Sequence, residues 1–162
     1  MVKEIKQEEK TKTKSNILKK DYILTVGRRR QAVARVRLYV NPKEDVVWDD
    51  QKVAKGEIAV NGMPIANYFS GQVAKSFYEE PFKITHTEGK FIVTVSVSGG
   101  GKSGQLDAVV HGISRALVAH DKDEFRSLLK KKGLLSRDPR AKERRKVGTG
   151  GKARRKKQSP KR

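Results

Sequence analysis

Between Ala32 and Val40 the chain alternates without a break. Ala32, Ala34, Val36, Leu38 and Val40 fall on one face and Val33, Arg35, Arg37 and Tyr39 on the other, which predicts a half-buried strand with an apolar side and a basic side. The same period returns from Phe91 to Ser98, where Phe91, Val93, Val95 and Val97 alternate with Ile92, Thr94, Ser96 and Ser98. Two shorter β-favouring runs are Tyr22 to Val26, interrupted by Gly27-Arg28-Arg29-Arg30, and Ile58 to Val60. Asn61-Gly62 is a turn signal, and Pro64 just beyond it suits the first turn of a short helix carrying Ile65, Tyr68 and Phe69. Val73, Phe77 and Tyr78 predict a second helical piece that stops before Pro81, because a residue preceding proline is pushed out of the helical region.

After the glycine-rich run Gly99-Gly100-Gly101-Lys102-Ser103-Gly104 the period becomes helical. From Gln105 onward Leu106, Val109, Val110, Ile113 and Leu117 share one stripe. A further helix starts near Asp121, a capping residue with Glu124 three positions on, buries Phe125, Leu128 and Leu129, and ends at Gly133. Asn41 to Lys55, with Pro42 and its many charges, reads as an exposed loop closed by a turn at Gly56. The expected organisation is a polar extension over residues 1–20, one globular domain over 21–133 and a basic tail over 134–162.

Charge sharpens that division. The net charge is +20, and residues 130–162 hold sixteen Lys or Arg against only Asp138 and Glu143, a net +14. Beyond Leu135 the tail's apolar residues are Ala141, Val147 and Ala153, too few to offset the entropy of ordering the chain. Such a segment becomes ordered when a dense polyanion neutralises it, and phosphate backbones are the commonest such partner. Cysteine is absent, which removes disulfides, thiolate metal sites and cysteine nucleophiles. No apolar run resembles a signal core or spans a bilayer, and no basic amphipathic helix with large apolar side chains marks a membrane surface. A soluble cytoplasmic protein is the expectation.

Catalytic chemistry finds little support. Gly101-Lys102-Ser103 matches the end of a nucleotide-binding phosphate loop, but the required first glycine is replaced by Ser96, inside a predicted strand. The glycine-freed amides suit a fixed phosphate better than a turnover site. His86, His111 and His120 have no metal-binding spacing, the latter two being nine apart on one helical pattern. Asp49-Asp50 and Glu79-Glu80 read as solvated surface acids. No cofactor, metal, small-molecule substrate or catalytic residue is expected. Three guanidiniums at Arg28, Arg29 and Arg30, beside a glycine that lets backbone approach a ligand, favour phosphate through the planar Arg fork. With the basic strand face and the tail, they point to nucleic acid. A phosphate-loop NTPase using Gly99 to Ser103 and a DNA-compacting protein are the alternatives.

From Tyr22 to Arg162 the chain resembles the bacterial-type family of the ninth small-subunit ribosomal protein. The likeness rests on GRRR at Gly27 to Arg30, AVARVR at Ala32 to Arg37, IAVNG at Ile58 to Gly62, and Tyr68-Phe69. It continues with GGGKSGQ at Gly99 to Gln105, HGISRAL at His111 to Leu117, RDPR at Arg137 to Arg140, ERRKVG at Glu143 to Gly148, KARR at Lys152 to Arg155, and the closing Lys161-Arg162. The resemblance implies an α+β fold, a mixed β-sheet backed by helices with a left-handed βαβ crossover, an exception to the usual hand, plus a long extended basic C-terminal tail. It implies a place in the head of the small subunit, among neighbouring head proteins. The tail threads small-subunit ribosomal RNA toward the anticodon stem-loop of peptidyl-site transfer RNA. Carried over by position, Lys161 and Arg162 are transfer-RNA contacts. Arg28, Arg29, Arg30, Lys102, Arg137, Arg140, Arg144, Arg145, Lys152, Arg154 and Arg155 are ribosomal-RNA contacts. Where family tails commonly carry an aromatic residue and Ser before the final Lys-Arg, this chain has Ser159-Pro160.

Overall fold

The computed structural model describes residues 22–40, 45–49 and 51–142. The extension over 1–20 and the expected tail contacts Arg144, Arg145, Lys152, Arg154, Arg155, Lys161 and Arg162 lie outside the described residues.

Among the described residues seven strands and four helices follow one another: β1 (Tyr22–Arg29), β2 (Ala32–Tyr39), β3 (Val46–Trp48), β4 (Gln51–Val53), β5 (Ile58–Val60), β6 (Met63–Pro64), α1 (Ile65–Tyr68), α2 (Gln72–Thr85), β7 (Ile92–Ser98), α3 (Lys102–His120) and α4 (Lys122–Lys131). Five strands form a mixed sheet in the order β1-β2-β7-β5-β6. β5 runs parallel to β7 while the other pairs are antiparallel. The fold is α+β, with β6, α1 and α2 carrying the chain across from β5 to its parallel partner.

The alternation in β2 and β7 sorts as expected. Ala32, Ala34, Val36, Leu38, Val93, Val95 and Val97 are buried beneath the helices with the stripe of α3, Val109, Val110, Ile113 and Leu117. Asp121 caps α4 by accepting the backbone N–H groups of Asp123 and Glu124, both at 3.1 Å, and Phe125 and Leu129 are buried behind it. Beyond α4, Gly133 takes a positive φ of 77° and the Leu134 N–H closes on the Leu129 carbonyl at 3.1 Å, a left-handed stop. Asn61 does more than turn the chain. Its side chain continues β5, accepting from the Val97 N–H at 2.8 Å and donating to the Val97 carbonyl at 3.0 Å.

Several expectations fail for tertiary reasons. Gly27-Arg28-Arg29 does not interrupt the first strand, because those residues pair with Ala34, Val33 and Ala32 and the turn falls at Arg30-Gln31. Gly27 serves packing rather than a ligand. A methyl there would stand 1.8 Å from the Ala108 carbonyl oxygen, so β1 touches α3 backbone to backbone, sealed by Thr25 Oγ1 donating to the Gly112 carbonyl at 2.8 Å. The loop over Asn41 to Lys55 contains the β3–β4 hairpin. Val53, Val46 and Trp48 cover Ala59, Ile92 and Tyr39 on the sheet face away from the helices.

α2 does not stop before Pro81 but runs through it to Thr85. The lost bond and the ring clash cost roughly 3 kcal/mol, and burial of Tyr78, Phe82 and Pro81, at about 1.5–3 kcal/mol for a large apolar side chain, offsets that. Val73 and Phe77 of this helix are exposed at 72% and 49%, and Leu128, expected to be buried, is exposed as well. Finally, α3 begins at Lys102 rather than Gln105.

Candidate nucleic-acid interface

One end of the domain gathers motifs far apart in sequence. The β1–β2 turn presents Arg28 and Arg30, both exposed, with Arg30 at a positive φ of 51°. The glycine run packs against this tip. A Cβ at Gly99 would meet the Gln31 carbonyl oxygen at 2.5 Å and one at Gly100 the Ala32 Cβ at 3.1 Å, and both glycines have positive φ. Only residues without side chains fit between the hairpin and the start of α3.

Arg29 turns away from solvent. Its side chain is 15% exposed and its guanidinium bridges Asp107 of α3 at 3.3 Å and Asp138 at 3.1 Å, with a longer bond of 3.4 Å to the Arg140 carbonyl. Asp138 is gripped from the other side by Arg140, whose Nη2 and backbone N–H lie 2.6 and 2.9 Å from its oxygens. Those bonds, with the Arg29 charge beside them, hold the Asp138 carboxyl well below the usual carboxylate range. Leu134 and Leu135 pack against the core just before this clamp, so the chain is fastened to the domain up to Arg140.

His111 completes the junction. The Arg28 N–H points to its Nδ1 at 3.4 Å, and burial, aided by the charges of Arg115 and Arg137, pushes its pKa down against a hydrogen bond with the Leu135 backbone that raises it. The imidazole is therefore neutral at neutral pH, and its Nδ1 accepts the Arg28 hydrogen bond. Arg115, which motif reading passed over as a contact, donates to the Val26 carbonyl and, like Arg137, brings its charge close enough to act on His111. Its signal was its place between the buried Ser114 and Ala116 on the outward side of α3.

Lys102 behaves unlike a phosphate-loop lysine. Its ammonium lies 3.4 Å from the centroid of the Tyr68 ring and 3.2 Å from the Tyr68 carbonyl oxygen, while the Tyr68 hydroxyl donates to Gln105 Oε1 at 3.0 Å. With the helix starting at Lys102 itself and this side chain folded back on Tyr68, the segment is a helix start with free amides, not a nucleotide cradle. Of the expected contacts, Arg28, Arg30, Arg137 and Arg140 lie exposed at this end, Lys102 sits beside it, and Arg29 is committed to the clamp.

A cavity of about 540 Å³ lies elsewhere, between the β3–β4 hairpin and α2. Glu57, Glu79 and Glu88 outnumber Lys52 and Lys83 in its lining, so it lacks the cationic excess a phosphate needs. No helix among the described residues is long and apolar enough to cross a membrane.

This is the build of a basic α+β protein with exposed cationic side chains gathered at one end and no catalytic constellation among its described residues. The family model described as ribosomal protein S9/S16 matches residues 27–162. The small ribosomal subunit protein uS9 of Maridesulfovibrio salexigens is 46% identical over 134 residues, covering 83% of this chain and 92% of that protein. The uS9 of Anaeromyxobacter sp. strain K is 44% identical over 128 residues, covering 79% and 88%. The chain belongs to the ribosomal protein S9/S16 family, and is a structural, non-enzymatic constituent of the small ribosomal subunit.

Proposed function

We propose that the domain docks on small-subunit ribosomal RNA in the subunit head through Arg28, Arg30, Arg115 and Arg137, with the open amides at the start of α3 and nearby Lys102 receiving a phosphate. Arg29 and Arg140 act with Asp138 as the fastening that aims the basic tail. Along it, Arg144, Arg145, Lys152, Arg154 and Arg155 neutralise RNA phosphates, and Lys161 and Arg162 reach the anticodon stem-loop of peptidyl-site transfer RNA. Neighbouring head proteins complete the surroundings, and the β5-to-β7 crossover is left-handed. The reading places the protein on the cytoplasmic ribosome.

One observation carries this: exposed guanidiniums with no carboxylate partner among the described residues, a glycine-opened helix start and the root of the cationic segment share one end of the domain. Each phosphate neutralised contributes about 0.7–0.9 to the slope of log affinity against log salt. Full-length protein binding head-domain RNA is expected to show a steep slope, and truncation after Lys142, which removes ten Lys and Arg, to flatten it by several units. An unchanged slope refutes the arm as binding element. Removing Lys161 and Arg162 alone is expected to weaken transfer-RNA retention in the peptidyl site while sparing subunit assembly, and equal retention refutes the contact at the tip.

A further inference from the structure

We propose that the sheet face opposite the helices holds one unstacked nucleotide of single-stranded RNA, in a cleft between the β3–β4 hairpin and β1. This deepens the ribosomal-RNA reading and rests on it.

The cleft has a volume of about 160 Å³ and is formed by Tyr22 and Leu24 of β1, Arg35 and Arg37 of β2, Trp48 of β3 and Thr94 of β7. That is smaller than the roughly 300–1,000 Å³ of sites for whole small molecules, and suits one planar ring system. Its walls are of three kinds, each matching one part of a nucleotide. Tyr22 and Trp48 offer aromatic surface, and the Arg37 guanidinium lies 5.5 Å over the Tyr22 ring, so a base meets π-faces and a delocalised cation together. Arg35 is exposed at the same face and no acidic residue among the described residues lines the cleft, which favours the attached phosphate. The Thr94 hydroxyl is buried at the lining and has no hydrogen-bond partner among the described residues, an expense that a base edge relieves.

Leu24 is 52% exposed in the middle of β1, apolar surface that a stacked ring covers. A duplex cannot supply such a group, because its bases are stacked and paired, whereas loops and bulges splay theirs outward. The β3–β4 hairpin, which contributes Trp48, is what turns a flat basic sheet face into a cleft.

Trp48 is the only tryptophan, so its emission reports occupancy directly. Full-length protein is titrated with a single-stranded RNA hexamer, a blunt RNA duplex, polyphosphate and polyglutamate, with emission and the anisotropy of labelled RNA read in parallel. The expected result is saturable quenching by the single strand alone, weakened about tenfold by Arg35→Ala and about threefold by Thr94→Val. Thr94→Val is expected to keep or raise the thermal unfolding midpoint, since it removes an unpartnered hydroxyl. Equal quenching by duplex or polyphosphate, quenching by polyglutamate alone, or quenching unmoved by both substitutions overturns the proposal. A flat salt dependence of anisotropy would fail the ribosomal-RNA reading itself. A steep dependence without single-strand quenching would fail only the cleft.

Discussion

Replacing Gly27 with alanine tests the contact on which the cationic end is built. The new methyl would stand 1.8 Å from the Ala108 carbonyl oxygen and 2.5 Å from the Gly112 nitrogen. Both obstacles are backbone atoms of α3, so no rotamer relieves the clash, and strand and helix must separate by more than about 1 Å to restore ordinary contact. α3 is held by the buried Ala108, Val109, Ile113, Ala116 and Leu117, and moving it loosens that packing and the Thr25 bond to Gly112. Overpacking costs typically about 1–3 kcal/mol and the strained hydrogen bond about 1 kcal/mol more, for an expected loss of about 2–4 kcal/mol. At a urea dependence of about 2 kcal/mol per molar, the unfolding midpoint followed by Trp48 emission falls by about 1–2 M. Gly101 is the control, since a Cβ there meets nothing within 4 Å, and Gly101→Ala is expected to cost under about 1 kcal/mol. Equal midpoints for the two variants would refute the backbone-contact argument.

Asn61→Ala is expected to cost about 2–4 kcal/mol in the same assay, because it strips the side-chain partners from the Val97 N–H and carbonyl and leaves alanine at a φ of 48°. A loss below about 1 kcal/mol would show that solvent replaces those bonds. His111 has a folded pKa below its unfolded value, so its contribution is complete above about pH 6.5 and is lost as pH falls toward the folded pKa. Stability should decline between pH 7 and 5, and His111→Gln should remove that part of the decline; identical profiles would exclude the histidine as the cause. The Asp138 carboxyl is also depressed, so its grip persists above about pH 4 and is lost as pH falls further. Asp138→Asn imitates the protonated state at neutral pH, and trypsin is expected to cleave after Arg140 several-fold faster than in the parent protein. Unchanged cleavage would mean that Arg29 and Asp138 do not fasten this segment.

The sequence by itself determined what depends on near neighbours. The strict alternation of Ala32 to Leu38 and Phe91 to Val97, the stripe from Leu106 to Leu117 and the Asp121 cap are set by backbone periods of two and 3.6 residues, which no distant contact has to supply. The concentration of positive charge after Lys130 is likewise a property of the chain, as is the family it resembles. What only the tertiary structure decided is the fate of residues whose local preference was outvoted or undecided. Pro81 stays in a helix because its neighbours are buried, Val46 to Val53 become a hairpin because Ile92 and Ala59 lie ready to be covered, and Gly27 is fixed by a helix that follows it by some eighty residues. Arg29 is the plainest case. In sequence it is one of three equal arginines, but its Asp107 partner is 78 residues away, and which guanidinium meets a carboxylate and which is left for phosphate is settled by pairwise distance alone, a quantity that a one-dimensional pattern does not contain.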